Sequence, residues 1–494
     1  MQRSKIHFET LGCKLNQVES EGAARVFTDS GFSVTMDPMT AADPSDDSVA
    51  ACVVNTCTVT AKAEQKARRI IRLLLSKFPS SVVIVTGCYA QLNQSDLLAM
   101  DPRIAVLGGQ NKGSLADVPS LLKGNSEKSG VDLQSVLQSF FDSKRASSKI
   151  GEITEPFRLA TDTFLNHSRS SLKIQDGCNC LCTYCRIRLA RGKSVSLDAA
   201  EVLSRVRSLE SAGQREVVIT TVNIAQYRGK WKDENGNEVF VNFAGLLEIL
   251  LENTESIGIR ISSLYPEIVD EKLAGLFENP RVRPHFHISV QSGSDSVLSR
   301  MKRPYKIEKV YRACSLLKKA KGNPFLACDI IAGFPGETDG DFDLTMKMLS
   351  ECGFTFVHAF PFSARPGTEA FSMRPMVPNN VTDTRIKRLE EFNRKSKTAY
   401  IESFVGKTLP AVCETVHRPN VARGIMLSGN AGDVVVHAVT ENFLHCQLVF
   451  PAFSKDIPKA GSEVFVRIVR PLADSERTGE SDTLAVVVAA PPES

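Results

Sequence analysis

Apolar and polar positions along the first quarter of the chain predict strands that alternate with helices. The apolar runs predict four strands, at residues 5–11, 51–56, 81–87 and 103–109. Between the second and third runs, residues 61–78 place apolar side chains at intervals of three and four, which predicts an amphipathic helix. This alternation predicts an open parallel α/β sheet. We expect the first domain to span residues 1–123.

A polar stretch at 124–160 follows, and we interpret it as a linker or insertion. A second alternation then begins, with β-branched or aromatic runs at 172–177, 216–223, 258–264, 285–292, 325–334 and 356–363. Six such units predict a partial (β/α)6 barrel rather than the closed barrel of eight. A polar helix at 383–403 closes this central domain, which we place at 161–403.

After Phe404 the pattern changes to short strands, which predict a small β-barrel at 404–472 and a tail at 473–494. A length of 494 residues suits about three domains, so the fold class is multidomain α/β with a C-terminal β module. The sequence has no apolar run long enough for a membrane span and no signal-peptide pattern at its start. We therefore expect a cytoplasmic protein without a membrane partner, whose 13 cysteines are free thiols or metal ligands. The net charge of +4 is too small to identify a partner.

The segment 176–192 contains the densest group of cysteines in the chain. Cys178, Cys182 and Cys185 follow a C-x3-C-x2-C spacing, with Cys180 as an additional thiol inside it. Three close thiolates suit a four-iron cluster with one open iron, whereas zinc usually takes two separated ligand pairs. A structural zinc site that uses all four thiols remains the alternative. The segment directly follows the first strand of the central domain, on the face where α/β barrels place active sites.

Three further cysteines each come just after a predicted strand of the first domain. They are Cys13, Cys57 and Cys88. Loops at the carboxyl ends of parallel strands share one edge of the sheet, so these thiols can converge there on a ligand. Separate buried cysteines are the alternative. We expect the remaining cysteines to be core thiols, and these are Cys52, Cys314, Cys328, Cys352, Cys413 and Cys446. The eight histidines show no ligand spacing, so we assign none of them to a metal.

The central domain resembles the radical S-adenosylmethionine (SAM) superfamily, whose cluster loop has this cysteine spacing with an aromatic before the third cysteine. Further matching segments end later strands, namely 220–227, 289–295 and the glycine-rich GFPGET at 333–338. The resemblance implies that SAM is bound by residues in and near these segments: Tyr184, Asn223, Ser289, Gln291, Gly333, Gly336 and Glu337.

Together, the two groups of cysteines resemble the radical-SAM methylthiotransferase family over nearly the whole chain. That family carries an auxiliary four-iron cluster on three scattered cysteines, a radical-SAM half-barrel and a C-terminal TRAM domain. The segments TLGCKLNQVESE and NTCTVT are most similar to the branch that acts on threonylcarbamoyladenosine in tRNA. Cys180, where the family usually has asparagine, the region around Leu189 and the segment 124–160 depart from the family pattern.

The resemblance implies two [4Fe-4S] clusters, one on Cys178, Cys182 and Cys185 and one on Cys13, Cys57 and Cys88. It implies that a radical derived from SAM removes hydrogen from C2 of adenine, and that the second cluster provides sulfur methylated by another SAM. The implied substrate is N6-threonylcarbamoyladenosine at position 37 of tRNAs that read ANN codons. The implied partners are a tRNA anticodon stem-loop and an electron donor of flavodoxin or ferredoxin type. The alternatives are methylthiolation of isopentenyladenosine in tRNA, methylthiolation of a ribosomal-protein aspartate, and RNA binding without catalysis.

Basic residues in two regions are candidates for contact with RNA phosphates, which dominate nucleic-acid affinity. They are Lys62, Lys66, Arg69 and Arg72 on the first domain's helix, and Arg418, Arg423 and Arg467 in the C-terminal module. Solvated surface side chains are the alternative for both sets.

Overall fold

The computed structural model describes residues 4–149, 151–160, 170–417, 433–451 and 454–490, and for residues 415–417 it describes the backbone alone. Across these ranges the chain forms an open sheet, a half-barrel and a closed barrel, which confirms the predicted fold class. No helix in the described ranges is long and apolar enough to cross a membrane.

The first domain is a five-stranded parallel sheet covered by helices. Its strands are β1 (Lys5–Thr10), β2 (Ser33–Thr35), β3 (Val49–Thr56), β4 (Val82–Gly87) and β5 (Ile104–Gly108), in the spatial order β2-β1-β3-β4-β5. Its helices are α1 (Lys14–Asp29), α2 (Ala61–Lys77), α3 (Cys88–Leu92), α4 (Gln94–Leu98), α5 (Val118–Gly124) and α6 (Gly130–Ser147). Four of these strands and helix α2 match the predicted segments. The short edge strand β2 was not predicted.

Helix α6 lies inside the segment that we interpreted as a linker or insertion. Its buried Leu133, Leu137 and Phe141 pack into the same apolar core as Ile6 and Phe8 of the first sheet. The interpretation of 124–160 as a linker is therefore corrected over 130–147. The apolar stripe of α6 is short and surrounded by Ser, Gln and Lys, so the average polarity of the segment concealed it.

The central domain continues with α7 (Ile187–Arg191), α8 (Ala199–Ser211), α9 (Phe243–Asn253), α10 (Glu271–Phe277), α11 (Asp295–Arg300), α12 (Ile307–Lys321), α13 (Asp339–Cys352) and α14 (Asn379–Glu402). Its strands are β6 (Ser170–Lys173), β7 (Gln175–Asp176), β8 (Val195–Ser196), β9 (Glu216–Thr220), β10 (Gly229–Lys232), β11 (Glu238–Val241), β12 (Gly258–Leu264), β13 (Val282–Gln291), β14 (Phe325–Ala332) and β15 (Phe356–Pro361). Six of them form one parallel sheet in the order β15-β14-β13-β12-β9-β6, as predicted. The other four form two small antiparallel ribbons.

The C-terminal module is a closed five-stranded barrel. Its strands are β16 (Thr408–His417), β17 (Val434–Thr440), β18 (His445–Phe450), β19 (Glu463–Pro471) and β20 (Thr483–Val488), and they close in the order β16-β17-β18-β20-β19. Strand β20 lies in the segment that we placed in a tail after residue 472. Since it pairs with both β18 and β19, the barrel extends to residue 488 and that boundary is corrected.

Candidate active site

Three neighbouring strands of the first sheet bring Cys13, Cys57 and Cys88 to one edge. Cys13 precedes the first turn of α1, Cys57 directly follows β3, and Cys88 begins α3 after β4. Gly12 has a φ of +107°, and a Cβ at this position would lie 2.7 Å from the Cβ of Cys57. A glycine at residue 12 is therefore what allows the loop of Cys13 to approach Cys57. The predicted convergence on one sheet edge is what the structure shows.

The surroundings of these thiols combine burial with positive charge. Burial raises the pKa of Cys57 to about 11 and also raises the pKa of Cys88. The nearby charge of Arg191 acts in the opposite direction on both cysteines, and Lys112 does so on Cys88. Cations beside a buried group of thiols favour their deprotonated, metal-binding form. The donor set therefore suits an iron–sulfur cluster.

The cysteine loop of the half-barrel lies between β7 and α7, directly after the first strand of the sheet. Backbone N–H groups donate to two of its sulfurs, from Cys180 to Cys178 and from Ile187 to Cys185, both at 3.4 Å. Hydrogen bonds of this kind surround the thiolates of iron–sulfur sites and adjust their potential. Hydrogen bonding by Cys180 lowers the pKa of Cys178 and of Cys182 to about 6. Burial raises the pKa of Cys185 to about 12, so the lowered pKa applies to two of the three predicted ligands. The backbone hydrogen bonds to Cys178 and Cys185 fit thiolate ligands at the predicted spacing.

Cys180 lies between its neighbours and hydrogen-bonds to both Cys178 and Cys182. Its sulfur accepts hydrogen bonds from the side-chain amides of Gln226, at 3.2 Å, and Asn223, at 3.5 Å. The additional thiol is therefore close to the other thiols of its loop. Within the described residues, no three or more His, Cys, Asp or Glu side chains already have the spacing of a bound metal.

The residues predicted to bind SAM lie around this loop. The amide of Asn223 reaches the loop sulfurs, and Tyr184 packs its ring 6.4 Å from that of Phe334, the residue after Gly333. Ser289 and Gln291 end β13 and hydrogen-bond to each other at 3.3 Å, with Gln291 at a φ of +74°. A non-glycine residue in this left-handed region is uncommon and is concentrated at functional sites.

The glycine-rich segment forms a tight turn after β14. Gly333 and Gly336 both have positive φ, and a Cβ on Gly333 would lie 2.2 Å from Oγ1 of Thr382. Buried Glu337 closes this turn, since its carboxylate accepts from the N–H of Gly333 at 2.6 Å and from Arg385 at 2.7 Å. Glu337 thus stabilises the turn by connecting its backbone to Arg385. The side chains of Thr382 and Arg300 occupy the space that a Cβ on Gly333 or Gly336 would need, so the two glycines let the turn pack closely against its neighbours.

Arg303 is a site residue that the sequence analysis missed. Its guanidinium donates to the sulfur of Cys182 at 3.4 Å and to the hydroxyl of Ser289 at 3.2 Å, and it lies over the rings of Tyr265 and Tyr305. It therefore links the cysteine loop to a predicted SAM residue. A single arginine in the segment MKRPY has no local signal that could have identified it.

A buried network of charges joins the two groups of cysteines. Arg191 at the end of α7 donates to Glu19 of α1 at 3.0 Å and to Asp176 at 2.9 Å. Lys173 donates to the same two carboxylates at 2.8 and 3.0 Å, and Lys112 donates to Glu19. Three cations thus share two carboxylates, and all five side chains are buried. Charges buried at such a boundary require partners on both sides, so the network fixes how the two domains meet.

A second link crosses the same boundary. Arg186, the residue after Cys185, donates to Glu64 of α2 at 3.0 Å and to Thr58, the residue after Cys57, at 3.2 Å. Arg365, which follows the last strand of the half-barrel, also donates to Glu64. The loops that carry Cys57 and Cys185 are therefore connected by direct hydrogen bonds.

Five of the seven basic residues predicted to contact RNA lie in the described ranges. Lys62, Lys66, Arg69 and Arg72 lie on the exposed face of α2, and Arg467 is exposed on β19. Arg418 and Arg423 lie outside the described residues. The six cysteines that we expected in the core are all buried in strands or helices.

Comparison with known proteins agrees with this geometry. The profile of the Radical SAM superfamily matches residues 172–349, the half-barrel with its three-cysteine loop. The profile named Uncharacterized protein family UPF0004 matches residues 5–109, which contain Cys13, Cys57 and Cys88. The class of protein is therefore a radical SAM protein with an added N-terminal domain.

The curated relatives define the family within this class. A Treponema pallidum protein named threonylcarbamoyladenosine tRNA methylthiotransferase MtaB is 40% identical over 505 aligned positions, covering 94% of this chain and 98% of that protein. A Bacillus subtilis protein of the same name is 34% identical over 83% of this chain and 84% of that protein. A Helicobacter acinonychis tRNA-2-methylthio-N(6)-dimethylallyladenosine synthase is 30% identical over 84% and 88%. The chain belongs to the threonylcarbamoyladenosine tRNA methylthiotransferase family.

Solved structures resemble the chain more distantly. The radical S-adenosylmethionine methyltransferase TsrM from Kitasatospora setae, solved with cobalamin and a [4Fe-4S] cluster, matches with a TM-score of 0.49 and 14% identity. The match covers 75% of this chain and 77% of that one.

Proposed function

We propose that this protein installs a methylthio group at C2 of N6-threonylcarbamoyladenosine, at position 37 of tRNAs that read ANN codons. The names of its relatives support the substrate. The structural observation that carries the proposal is the pairing of two three-cysteine sites, in two domains, through the network of Glu19 and Arg191. One thiol site alone accounts for SAM cleavage, and the second is needed for sulfur transfer.

The residues present fit two iron–sulfur clusters and SAM. Cys178, Cys182 and Cys185 would hold one cluster, and Cys13, Cys57 and Cys88 the other. When bound, these groups supply the radical chemistry that activates the C2–H bond and the sulfur that replaces the hydrogen. The SAM contacts remain a prediction for Tyr184, Asn223, Ser289, Gln291, Gly333, Gly336 and Glu337.

The protein's own side chains position and shield this chemistry. Arg303 orients the side chains of Cys182 and Ser289, and Arg191 and Lys112 supply the positive charge beside the first-domain thiols. Cys13 lies on the wall of the cavity inside the half-barrel, beside Thr220 and Thr221. A base held in that cavity therefore reaches the first-domain site from the half-barrel side.

The tRNA contact is proposed at the anticodon stem-loop, with phosphates held by the exposed basic face of α2 and by β19. We also propose an electron donor of flavodoxin or ferredoxin type, because SAM cleavage consumes an electron. Action on tRNA supports a cytoplasmic location.

The test compares three substrates with one anaerobically reconstituted preparation. Stem-loop RNA with threonylcarbamoyladenosine, stem-loop RNA with isopentenyladenosine, and ribosomal protein are each incubated with SAM and a reductant, and products are identified by mass spectrometry. We expect the methylthio group on the first substrate only. Modification of either other substrate instead contradicts the proposal, and RNA binding without any SAM cleavage supports the non-catalytic alternative.

A further inference from the structure

A cavity of about 730 Å³ runs through the half-barrel beneath Cys13. The residues that line it include Gly12, Cys13 and Thr221. Phe443 and His445 of the C-terminal module also line it, and Phe443 stacks on His285 with ring centroids 3.9 Å apart. A volume of this size suits a drug-sized organic ligand. Cys13 of the first domain, strands of the half-barrel and residues of the C-terminal module therefore all contribute to the cavity.

Alternate residues on four neighbouring strands, β12 to β15, give this cavity a polar wall. The residues of these strands that pack into the apolar core include Ile261, Ile288, Cys328 and Val357. The residues that line the cavity from the same strands include Ser262, His287, Asp329 and His358. The lining also includes apolar side chains such as Phe325, Phe356 and Phe360. The polar positions among them indicate a ligand that combines several hydrogen-bonding groups with apolar surface.

The middle of the cavity has a defined arrangement of donors and acceptors. His287 and His358 stack at a centroid distance of 5.0 Å and an angle of 15°, and Nε2 of His287 lies 3.1 Å from Oδ1 of Asp329. Lys397 of α14 reaches the same region, with its ammonium 5.2 Å from the ring centroid of Phe356, and it ion-pairs with Asp482. His287 and Asp329 lie on inner strands of the sheet, so the 21% and 28% of their side chains that remain accessible face the cavity.

The residues that line the cavity also include a side-chain hydroxyl without a hydrogen-bond partner in the described ranges. Oγ1 of Thr221 is buried and, in the described part of the chain, has no hydrogen-bond partner. Buried hydroxyls without a partner are rare and are commonly completed by a water molecule or a ligand. Thr221 lines the same cavity as Cys13, the cavity in which the reacting base is proposed to lie.

We propose that this cavity receives the threonylcarbamoyl substituent, with its carboxylate bound by His358 and Lys397 and its hydroxyl and N–H groups facing Asp329. The inference rests on the proposed function and identifies the residues that read the substrate's polar group. An imidazole N–H and an ammonium are donors for a carboxylate, and an ionised aspartate is an acceptor for the ligand's O–H and N–H groups. An isopentenyl group would leave these donors and acceptors unpaired, and such a site rejects an apolar analogue strongly.

The experiment measures how strongly the protein prefers RNA with threonylcarbamoyladenosine over RNA with unmodified adenosine. Anticodon stem-loops carrying either threonylcarbamoyladenosine or unmodified adenosine at position 37 are bound to the wild-type protein and to His358→Phe and Lys397→Met. We expect the wild type to prefer the first RNA. Each substitution should reduce that preference about tenfold to a hundredfold, because a hydrogen bond to a charged group is lost. Affinity for the unmodified RNA should not change in His358→Phe. Lys397→Met also removes the ion-pair partner of buried Asp482, so its unfolding midpoint is measured to establish that the variant is folded.

Controls separate a binding role from a structural one. Lys395→Met changes a neighbouring lysine of α14 that makes only an exposed pair with Glu391, so it should keep the wild-type preference. His358→Gln retains a donor and should restore part of the preference lost in His358→Phe. Loss of affinity for both RNAs alike, or full preference in both variants, overturns the assignment of this cavity. A wild-type protein without preference for the threonylcarbamoylated RNA overturns the proposed function and the assignment with it.

Discussion

Arg191 of the half-barrel and Glu19 of the first domain form a buried hydrogen bond, 3.0 Å between Nη1 and Oε1. Glu19 follows Cys13 by six positions, and Arg191 follows Cys185 by six. This ion pair is the centre of the buried network that, with the contacts of Arg186 and Arg365 to Glu64, holds one cysteine site relative to the other. This relationship makes the domain interface part of the active site, because the site that activates the C2–H bond and the site that supplies sulfur must both reach the same carbon of the base.

Glu19→Gln should destabilise the protein strongly. Removing one partner of a buried ion pair costs about 3–5 kcal/mol. Here Lys112 loses its carboxylate partner, and Arg191 and Lys173 keep only Asp176. Calorimetry should show a lower unfolding midpoint for this variant at pH 7. Glu391→Gln, which removes only an exposed pair, is the matched control and should leave the midpoint nearly unchanged. Equal midpoints for Glu19→Gln and the wild type would contradict a stabilising role for the network.

The stability that Glu19 contributes should depend on pH, and Glu19→Gln can be used to measure this dependence. Burial alone would raise the pKa of Glu19, but the charges of Arg191, Lys112 and Lys173 hold this pKa well below its usual value. The stabilisation is therefore fully present above the unfolded-state pKa of about 4.3, and it is lost as the pH falls below that value. The difference in midpoint between wild type and Glu19→Gln should be constant from pH 7 to about 5 and narrow at lower pH. A difference that stays constant down to pH 3 would show that the carboxylate charge is not responsible.

Cysteine substitutions should separate the two sites. We expect about eight iron atoms per chain after anaerobic reconstitution, and about half of that in Cys182→Ala and in Cys57→Ala. Cys182→Ala should abolish cleavage of SAM to 5′-deoxyadenosine, whereas Cys57→Ala should keep this cleavage and lose methylthiolation. Cys52→Ala, a buried thiol on the strand before Cys57, is the control and should keep all the iron. Full iron with activity in Cys182→Ala would refute the ligand assignment.

Cys180 should be dispensable for cluster binding. The C-x3-C-x2-C spacing already provides three ligands, and the family usually carries asparagine at this position. Cys180→Asn should therefore keep wild-type iron content and SAM cleavage, whereas Cys178→Asn should lose the half-barrel cluster. If Cys180→Asn also loses half of the iron, Cys180 is itself a ligand, and the assignment of three thiols must be revised.

Arg303→Met should slow SAM cleavage about tenfold to a hundredfold without removing iron. The arginine orients Cys182 and Ser289 through hydrogen bonds that are worth about 1.5–3 kcal/mol when one partner is charged. Arg303→Lys should restore part of the rate, and the reduction potential of the half-barrel cluster should shift in Arg303→Met. Arg312→Met, which removes an exposed pair with Glu271, is the control. Unchanged cleavage and an unchanged potential would exclude a positioning role.

The sequence predicted the strands well because buried parallel strands are continuous apolar runs, such as Val49–Thr56, which is buried throughout. It missed β2, a three-residue edge strand that is not fully buried. It interpreted the segment of α6 as a linker or insertion and placed β20 in a C-terminal tail. The first two are short or weakly apolar, and β20 follows a polar loop. For β2 and α6, local composition did not show which tertiary surface the element covers. Strand β20, TLAVVV, is an apolar run that local composition does indicate, and the assignment of a tail overlooked it.

The cysteines could be predicted because their spacing and their positions after strands are local features. Arg191, Lys112 and Lys173 could not be predicted, because they meet Glu19 over separations of 93 to 172 residues. The histidines of the cavity lie on alternate strand positions, a pattern that becomes informative only once the inward face of the half-barrel is known.

The most direct test of the account is nucleoside analysis of tRNA from a strain that lacks the methylthiotransferase for threonylcarbamoyladenosine and expresses this chain instead. We predict that 2-methylthio-N6-threonylcarbamoyladenosine returns in tRNAs that read ANN codons, and that the same strain expressing Cys57→Ala shows only the unmethylthiolated nucleoside. A methylthio group restored on isopentenyladenosine alone, or on neither nucleoside, would contradict the account.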